Sequence, residues 1–373
     1  MIQTKPKYMI IKRAKALRGI AALSFCLLAI APAAKAQETI RMIAVDSYSP
    51  SALWVKVFID YFMPEVDRRL AETGNYEIDW NPAFGGTISK TKQVLESLQY
   101  DIADIGIITT PYHPDKVPFY NLPYATPFVT NDIGLIAQTM SDLSDKYPEL
   151  KDAWEDYGLK YLITAGSIDT YNIILRDNLE SLDDLSGQKI GGVGSNLLFL
   201  EGSGAVGVSS GLSEWYNNMA TRLMSGTIVW PEAIAAYKLY EVGPYMLDVQ
   251  FGGATSKAIV INGRTWDRLP AEVQGVLEEV SVDYRDELAR ETDRISAHAK
   301  EVFEAEGGVV ISMTEQQRRE WAQNLPDLAF DWVLSMERKG LPGREILADY
   351  MQIMRDNDQP IMRQWDQLGS VDQ

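Results

Sequence analysis

The sequence predicts an α/β protein of two lobes, each a mainly parallel sheet flanked by helices, with one long helix bracing both. Three observations carry that prediction. Short apolar runs alternate with amphipathic helical stretches from Thr39 to Ile261, the rhythm of β-α-β units. After Pro270 a helical pattern continues to about Glu304; at 1.5 Å per residue it is more than about 50 Å long, longer than one lobe is wide. The chain beyond residue 36 has roughly 337 residues, ample for two cores.

The elements follow in order. Thr39–Val45 reads as a first strand, ending at Asp46-Ser-Tyr-Ser-Pro50. A helix begins at Ser51 and runs to about Leu70, with Leu53, Trp54, Val57, Phe58 and Tyr61 at helical spacing. Tyr76–Trp80 alternates as a second strand, Val94, Leu95 and Leu98 mark a helix, and Ile102–Ile108 reads as a buried strand. Leu159–Ala165, Tyr171–Arg176, Gln188–Ile190, Thr227–Val229 and Ala258–Ile261 supply further strands. Residues 37–165 with about 254–300 are assigned to the first lobe. About 166–253 with the C-terminal helices of 301–373 are assigned to the second lobe and its braces.

The first 36 residues stand apart. Lys5, Lys7, Lys12, Arg13, Lys15 and Arg18 precede the apolar run Ile20–Ile30. Ala34-Lys35-Ala36 then presents the small-x-small pattern that a signal peptidase reads. The run is too short for a permanent span, so a cleaved leader and a periplasmic mature chain are expected. Cys26, the only cysteine, lies in that leader with Phe25 before it; a lipid anchor needs a small residue there. The mature chain then has no disulfide and no thiolate metal site. With only His113 and His298 besides, no metal and no cofactor are expected. Losing the leader removes seven basic residues and leaves 28 against 52 acidic ones, a net charge of about −24. Such a surface repels nucleic acid and anionic headgroups.

Two short patterns look chemical and lack their context. Gly202-Ser-Gly-Ala-Val-Gly207 fits a dinucleotide fingerprint. That motif needs a preceding strand and an acidic residue about twenty positions on, where Thr227 and Ile228 stand instead. Gly207-Val-Ser-Ser-Gly211 fits a nucleophile elbow, which would make an exported serine hydrolase of the chain if His298 reached Ser209. In Gly187-Gln-Lys-Ile-Gly-Gly-Val-Gly194 the lysine precedes the glycines, the reverse of a phosphate-binding loop.

Several stretches in order are more specific together. They are Asn81-Pro-Ala-Phe-Gly-Gly86, Leu95–Asp104, Leu122-Pro-Tyr124, Leu182–Ile190, Gly226–Glu232 and Trp266–Gln274. With them, nearly the whole mature chain resembles the solute-binding subunit of tripartite ATP-independent periplasmic (TRAP) transporters, of the dicarboxylate-binding type. The resemblance implies a two-lobed clam that holds a small solute in its cleft, delivers it to a membrane permease and catalyses nothing. It also implies an arginine directly after the Lys-Ile pair, gripping a carboxylate in a fork. Here that position is Gly191. A second arginine, in a Gly-x-Arg pattern, is replaced by Gly166-Ser-Ile-Asp169.

Ligands in open α/β sheets sit beyond the carboxyl ends of strands. The residues there are Asp46 and Tyr48, Asp169 and Tyr171, and Trp230 and Glu232. Carboxylates and π-faces in a dry recess favour a cation. The expected cargo is therefore a small amine or amino alcohol of ethanolamine or choline type, with a small organic acid as the alternative. Arg176, after the strand Tyr171–Leu175, is the residue that would restore a guanidinium. Trp54, Tyr112, Trp215 and Tyr216 are further cleft candidates. Asp46 reads equally as a helix cap, Asp169 as a loop carboxylate paired elsewhere, Trp230 as core, and Glu232 as structural.

Overall fold

The computed structural model describes residues 37–367; the expected leader and Cys26 lie outside the described residues. Two sheets form. The first holds β1 (Glu38–Val45), β2 (Tyr76–Ala83), β3 (Ile105–Thr109), β4 (Leu159–Ile168) and β10 (Ala254–Asn262), in spatial order β2-β1-β3-β10-β4. The second holds β5 (Asn172–Leu175), β6 (Lys189–Gly192), β7 (Val206–Ser209), β8 (Gly226–Val229), β9 (Tyr245–Asp248) and β11 (Val309–Ser312), in order β11-β9-β5-β8-β6-β7.

The chain passes from the first sheet to the second between β4 and β5, and returns between β9 and β10. A strand arriving from the other lobe enters at the cleft end, so it runs against strands that leave there. Accordingly every antiparallel pairing involves β5 or β10. The remaining pairings are parallel. The sheets are mixed, for a topological reason that local sequence does not carry.

The two crossings are tied to each other. The amide of Tyr171 donates to Gly252 O at 3.2 Å, and that of Phe251 donates to Tyr171 O at 3.0 Å. Gly252 sits at φ +109°, with a virtual Cβ 3.0 Å from Thr130 O. Any other residue would be strained there.

β10 is buried at all nine positions. It lies at the centre of the first sheet between β3 and β4. The helix Ala271–Ala305 places Val273, Leu277, Val280, Tyr284 and Leu288 on one buried face at the helical repeat. It packs on β4 in the first lobe, and on β11 and the helix Pro231–Ala236 in the second. Tyr284 Oη donates to the carbonyl of Trp54 at 2.8 Å, so this brace also fixes the helix that carries a cleft residue. Burying those five side chains contributes roughly 1.5–3 kcal/mol each.

The helices Leu328–Glu337 and Gly343–Asp356, grouped by sequence with the second lobe, pack instead on Leu122–Ala125 and Ile133–Lys146 of the first. Trp332 Nε1 donates to Pro118 O at 2.8 Å and Trp365 Nε1 to Pro127 O at 2.7 Å. An amphipathic face declares that it is covered, not by what. The helix Glu315–Asn324 does meet the second lobe, where Arg318 donates to the carbonyls of Asp248 and Val249.

Gly226 opens β8 so close to β5 that a Cβ would lie 2.3 Å from Ile174 O, a backbone atom that cannot rotate away. Gly226→Ala is expected to lower stability by about 1–3 kcal/mol, read as a lower urea midpoint with an unchanged slope.

Candidate functional site

The carboxyl ends of β1 and β3 face those of β6 and β8, and the residues there close on one another. From the first lobe come Asp46, Tyr48, Trp54, Tyr112 and Tyr124. The second lobe supplies Tyr171, Trp230 and Glu232. The ring centroids of Trp54 and Trp230 stand 6.4 Å apart across the seam, and those of Tyr171 and Trp230 6.0 Å. Tyr124 Oη and Tyr171 Oη share a hydrogen bond at 3.0 Å across the same seam. Trp54 and Trp230 are 1% and 5% exposed, so the lobes are shut in this conformation. Aromatic contacts of this kind contribute about 0.5–1.5 kcal/mol each beyond the area they bury.

Each carboxylate of the seam is occupied by an indole. Asp46 Oδ2 accepts from Trp54 Nε1 at 2.9 Å, and its Oδ1 accepts the amide of Tyr48 at 2.8 Å. Asp46 therefore shapes a turn and orients Trp54. It does not cap the following helix, whose cap position is Ala52. Glu232 Oε2 accepts from Trp230 Nε1 at 2.9 Å. Burial pushes the Glu232 carboxyl up to about 7 and the Asp46 carboxyl well above the usual carboxylate range.

The central charge is one that the sequence reading missed. Lys257, on β10 opposite Thr109 of β3, is 3% exposed. Its Nζ lies 3.9 Å from the centre of the Trp54 ring and 5.6 Å from that of Tyr48. Among the described residues its one hydrogen bond runs to Thr109 Oγ1 at 3.3 Å. Among the described residues no carboxylate comes within ion-pair distance of it, although Asp46 and Glu232 act on it from farther off. Burial pushes the ammonium well below the ordinary lysine range, and those two carboxylates pull it partly back. A buried ammonium with one long hydrogen bond keeps donors in hand.

A second unspent donor stands on the other lobe. Asn196 Oδ1 accepts the amide of Val193 at 2.8 Å, while its buried Nδ2, which acts on the Tyr171 hydroxyl, makes no well-formed hydrogen bond among the described residues. The signal for Lys257 was present as one lysine inside Ala254-Thr-Ser-Lys-Ala-Ile-Val-Ile261. A lysine inside a strand buried on both faces has no route to water.

The other expected residues fall as follows. Arg176 is not in the seam. Leu175 pairs with Gly226, at the opposite end of β8 from Trp230, and Arg176 pairs instead with Asp177 at 3.5 Å. Because β5 runs against β8, the residue after β5 faces away from the cleft. Asp169 sits at the crossing, where burial pushes its carboxyl up to about 6 and Oδ1 has no hydrogen bond among the described residues. Trp215 backs Trp230 from within the second lobe, donating from Nε1 to Ser210 O at 3.2 Å. Tyr216 bonds Glu241 on the surface. Tyr112 Oη lies 3.5 Å from Tyr48 Oη.

Gly191 is not an empty place. A Cβ there would lie 2.6 Å from Met224 Sδ, so the thioether of Met224 occupies the place where a side chain at position 191 would begin. Of the nearby glycines, Gly194 serves closure. A Cβ on Gly194, at φ +48°, would stand 2.7 Å from Pro111 O of the other lobe.

Neither chemical motif is assembled. Gly202 and Gly204 precede a strand, the reverse of the dinucleotide order. His298 is exposed and engages Glu301 at 3.1 Å, with no hydrogen bond to Ser209.

Comparison with known proteins agrees with this architecture. The sequence pattern of the bacterial extracellular solute-binding proteins, family 7, matches residues 60–330; the chain belongs to that family. It is 25% identical over 201 residues to the C4-dicarboxylate-binding periplasmic protein DctP of Vibrio cholerae, covering 53% of this chain and 59% of that protein. The chain thus matches less than two thirds of that relative's length. A TRAP periplasmic solute-binding protein from Desulfovibrio salexigens has the same fold, with a TM-score of 0.72 and 20% identity over 85% of this chain and 96% of that one. A Bordetella pertussis extracytoplasmic solute receptor binding pyroglutamic acid aligns with a TM-score of 0.71 and 17% identity over 84% and 99%. One from Sulfitobacter with bound β-D-galacturonate aligns at 0.67 and 18% over 86% and 100%. Among the described residues no helix is long and apolar enough to cross a membrane.

Gly194→Val is expected to hold the lobes apart by its clash with Pro111. Small-angle scattering should then give a larger radius of gyration than the parent chain, with far-ultraviolet dichroism unchanged.

Proposed function

We propose that this protein captures a small organic acid between its lobes in the periplasm and presents it to the permease of a TRAP transporter. One observation carries the ligand class: the buried Lys257 ammonium, with donors unspent, beneath the Trp54 ring. A carboxylate arriving there would gain charge-assisted hydrogen bonds in a dry site. Asn196 Nδ2 is placed to add a neutral donor from the other lobe. Capture would then couple to closure, because donors from both sheets meet one guest.

The amine reading loses its support on the same evidence. Asp46 and Glu232 are engaged by indole donors, and the internal cation Lys257 already occupies the face of Trp54. Pyroglutamate and galacturonate, named for two solved relatives, are acids.

Titration calorimetry of the exported chain against malate, pyruvate, pyroglutamate, galacturonate, ethanolamine and choline tests the reading. An acid is expected to bind, and Lys257→Met to weaken it by about 30-fold or more, the loss typical of a truncated buried charge pair. Binding of ethanolamine or choline, with none by the acids, overturns the ligand class and leaves the carrier role standing.

The pH dependence gives an independent sign. Binding an anion requires Lys257 charged, and it is opposed by ionised Asp46 and Glu232. Depressed Lys257 and raised Asp46 and Glu232 all make acid binding take up protons. Affinity for an acid is therefore expected to fall as pH rises from 6 to 8.5. An amine cargo would show the opposite slope.

A further inference from the structure

A second recess lies in the first lobe, walled by β4, the helix Ile133–Lys146 and the long helix Ala271–Ala305, with a volume of about 330 Å³. It opens beside Lys160–Ile163 at the beginning of β4. Lys257 pairs with Ala165, farther along the same strand. Two to five strand residues separate the recess from that pairing, roughly 7–16 Å along β4.

Arg285 lines this recess and is only 5% exposed. Its Nε donates to Asp286 Oδ1 at 2.7 Å. Its two terminal Nη atoms donate to no described residue, and among the described residues Asp286 is its one ion-pair partner. The end-on fork of this guanidinium thus opens to the recess with no protein acceptor among the described residues, and its N–H donors remain available to a guest there.

The rest of the lining selects the kind of acceptor. The hydroxyls of Ser141 and Ser144 donate to Ala137 O and Met140 O of their own helix, and Tyr161 Oη donates to Thr164 Oγ1. No hydroxyl hydrogen is left for a neutral solute. Lys160, paired with Glu278 at 3.4 Å, and Lys151, paired with Asp145, keep further N–H donors at the rim. Free donors here are all cationic, and a guanidinium fork matches two oxygens of one anion.

We infer that this recess is a second anion site, distinct from the cleft, taking a small oxyanion, a carboxylate or inorganic phosphate, on the Nη edge of Arg285. It does not depend on the cargo reading. Its long-helix wall is the same element that braces both lobes, so an anion there would bear on the first-lobe end of that brace.

The test uses the exported chain carrying Lys257→Met, so that the cleft is silent toward acids. Titration calorimetry in chloride-free buffer is run with inorganic phosphate and, separately, with malonate. Saturable binding of either, one per chain, is the expected result, and whichever binds names the source. Arg285→Lys keeps the charge and loses the fork, and should weaken binding about tenfold or more. Asp286→Asn lies on the surface and removes the carboxylate charge beside the guanidinium, which should tighten anion binding about threefold. Absence of saturable binding by both anions overturns the inference, as does binding that neither substitution alters.

Discussion

One buried ammonium organises the seam of this molecule. Lys257 is carried into a dry place by a strand with no exposed residue, and a charge so placed must find compensation. It finds the face of Trp54 and the more distant carboxylates of Asp46 and Glu232. Those carboxylates in turn anchor Trp54 and Trp230 through their indole nitrogens. Charge and ring are thus interlocked, so that moving either lobe changes the surroundings of the lysine. Closure and electrostatics are the same event in such an arrangement.

The framework makes that event possible. Two strand-to-strand crossings and one long helix connect the sheets near the seam, and the crossings are hydrogen-bonded to each other around Tyr171 and Gly252. A pair of short crossings bends more easily than a packed core. The helix Ala271–Ala305 touches both lobes and fixes Trp54 through Tyr284, so it limits the range of opening. Glycines at the contact, Gly194 against Pro111 above all, let backbone meet backbone when the lobes come together.

A strongly acidic shell around interior cations has a further consequence. Beyond residue 36 the chain carries a net charge of about −24, so anions in solution are repelled at long range and gain only at short range, inside the recesses. Affinity in such a protein comes from desolvated contacts more than from steering. Lys257 and Arg285 are both nearly enclosed, where salt screens least.

Much of the architecture could be read from the chain: the alternation of strands and helices, the brace after Pro270, and the motifs of the solute-binding family. Asp46, Tyr48, Tyr171, Trp230 and Glu232 could be read as candidates because strand ends collect beside a cleft, and Trp54 because it opens the helix after the first strand. The sense of their chemistry could not. Whether Asp46 and Glu232 receive an ammonium or an indole N–H depends on which rings fold over them. Lys257 went unread because a single lysine in an apolar strand has no periodic signature, and Arg176 was misjudged because strand direction is absent from local pattern.

Sequence alone determined the elements, the charge of the surface and the glycine at position 191, since all of these are properties of near neighbours along the chain. Tertiary structure decided the direction of β5 and β10, the lobe that the last helices cover, the methionine that fills the space beside Gly191, and the lysine at the seam. Each of those is a contact between residues far apart in sequence, chosen by topology and packing rather than by propensity.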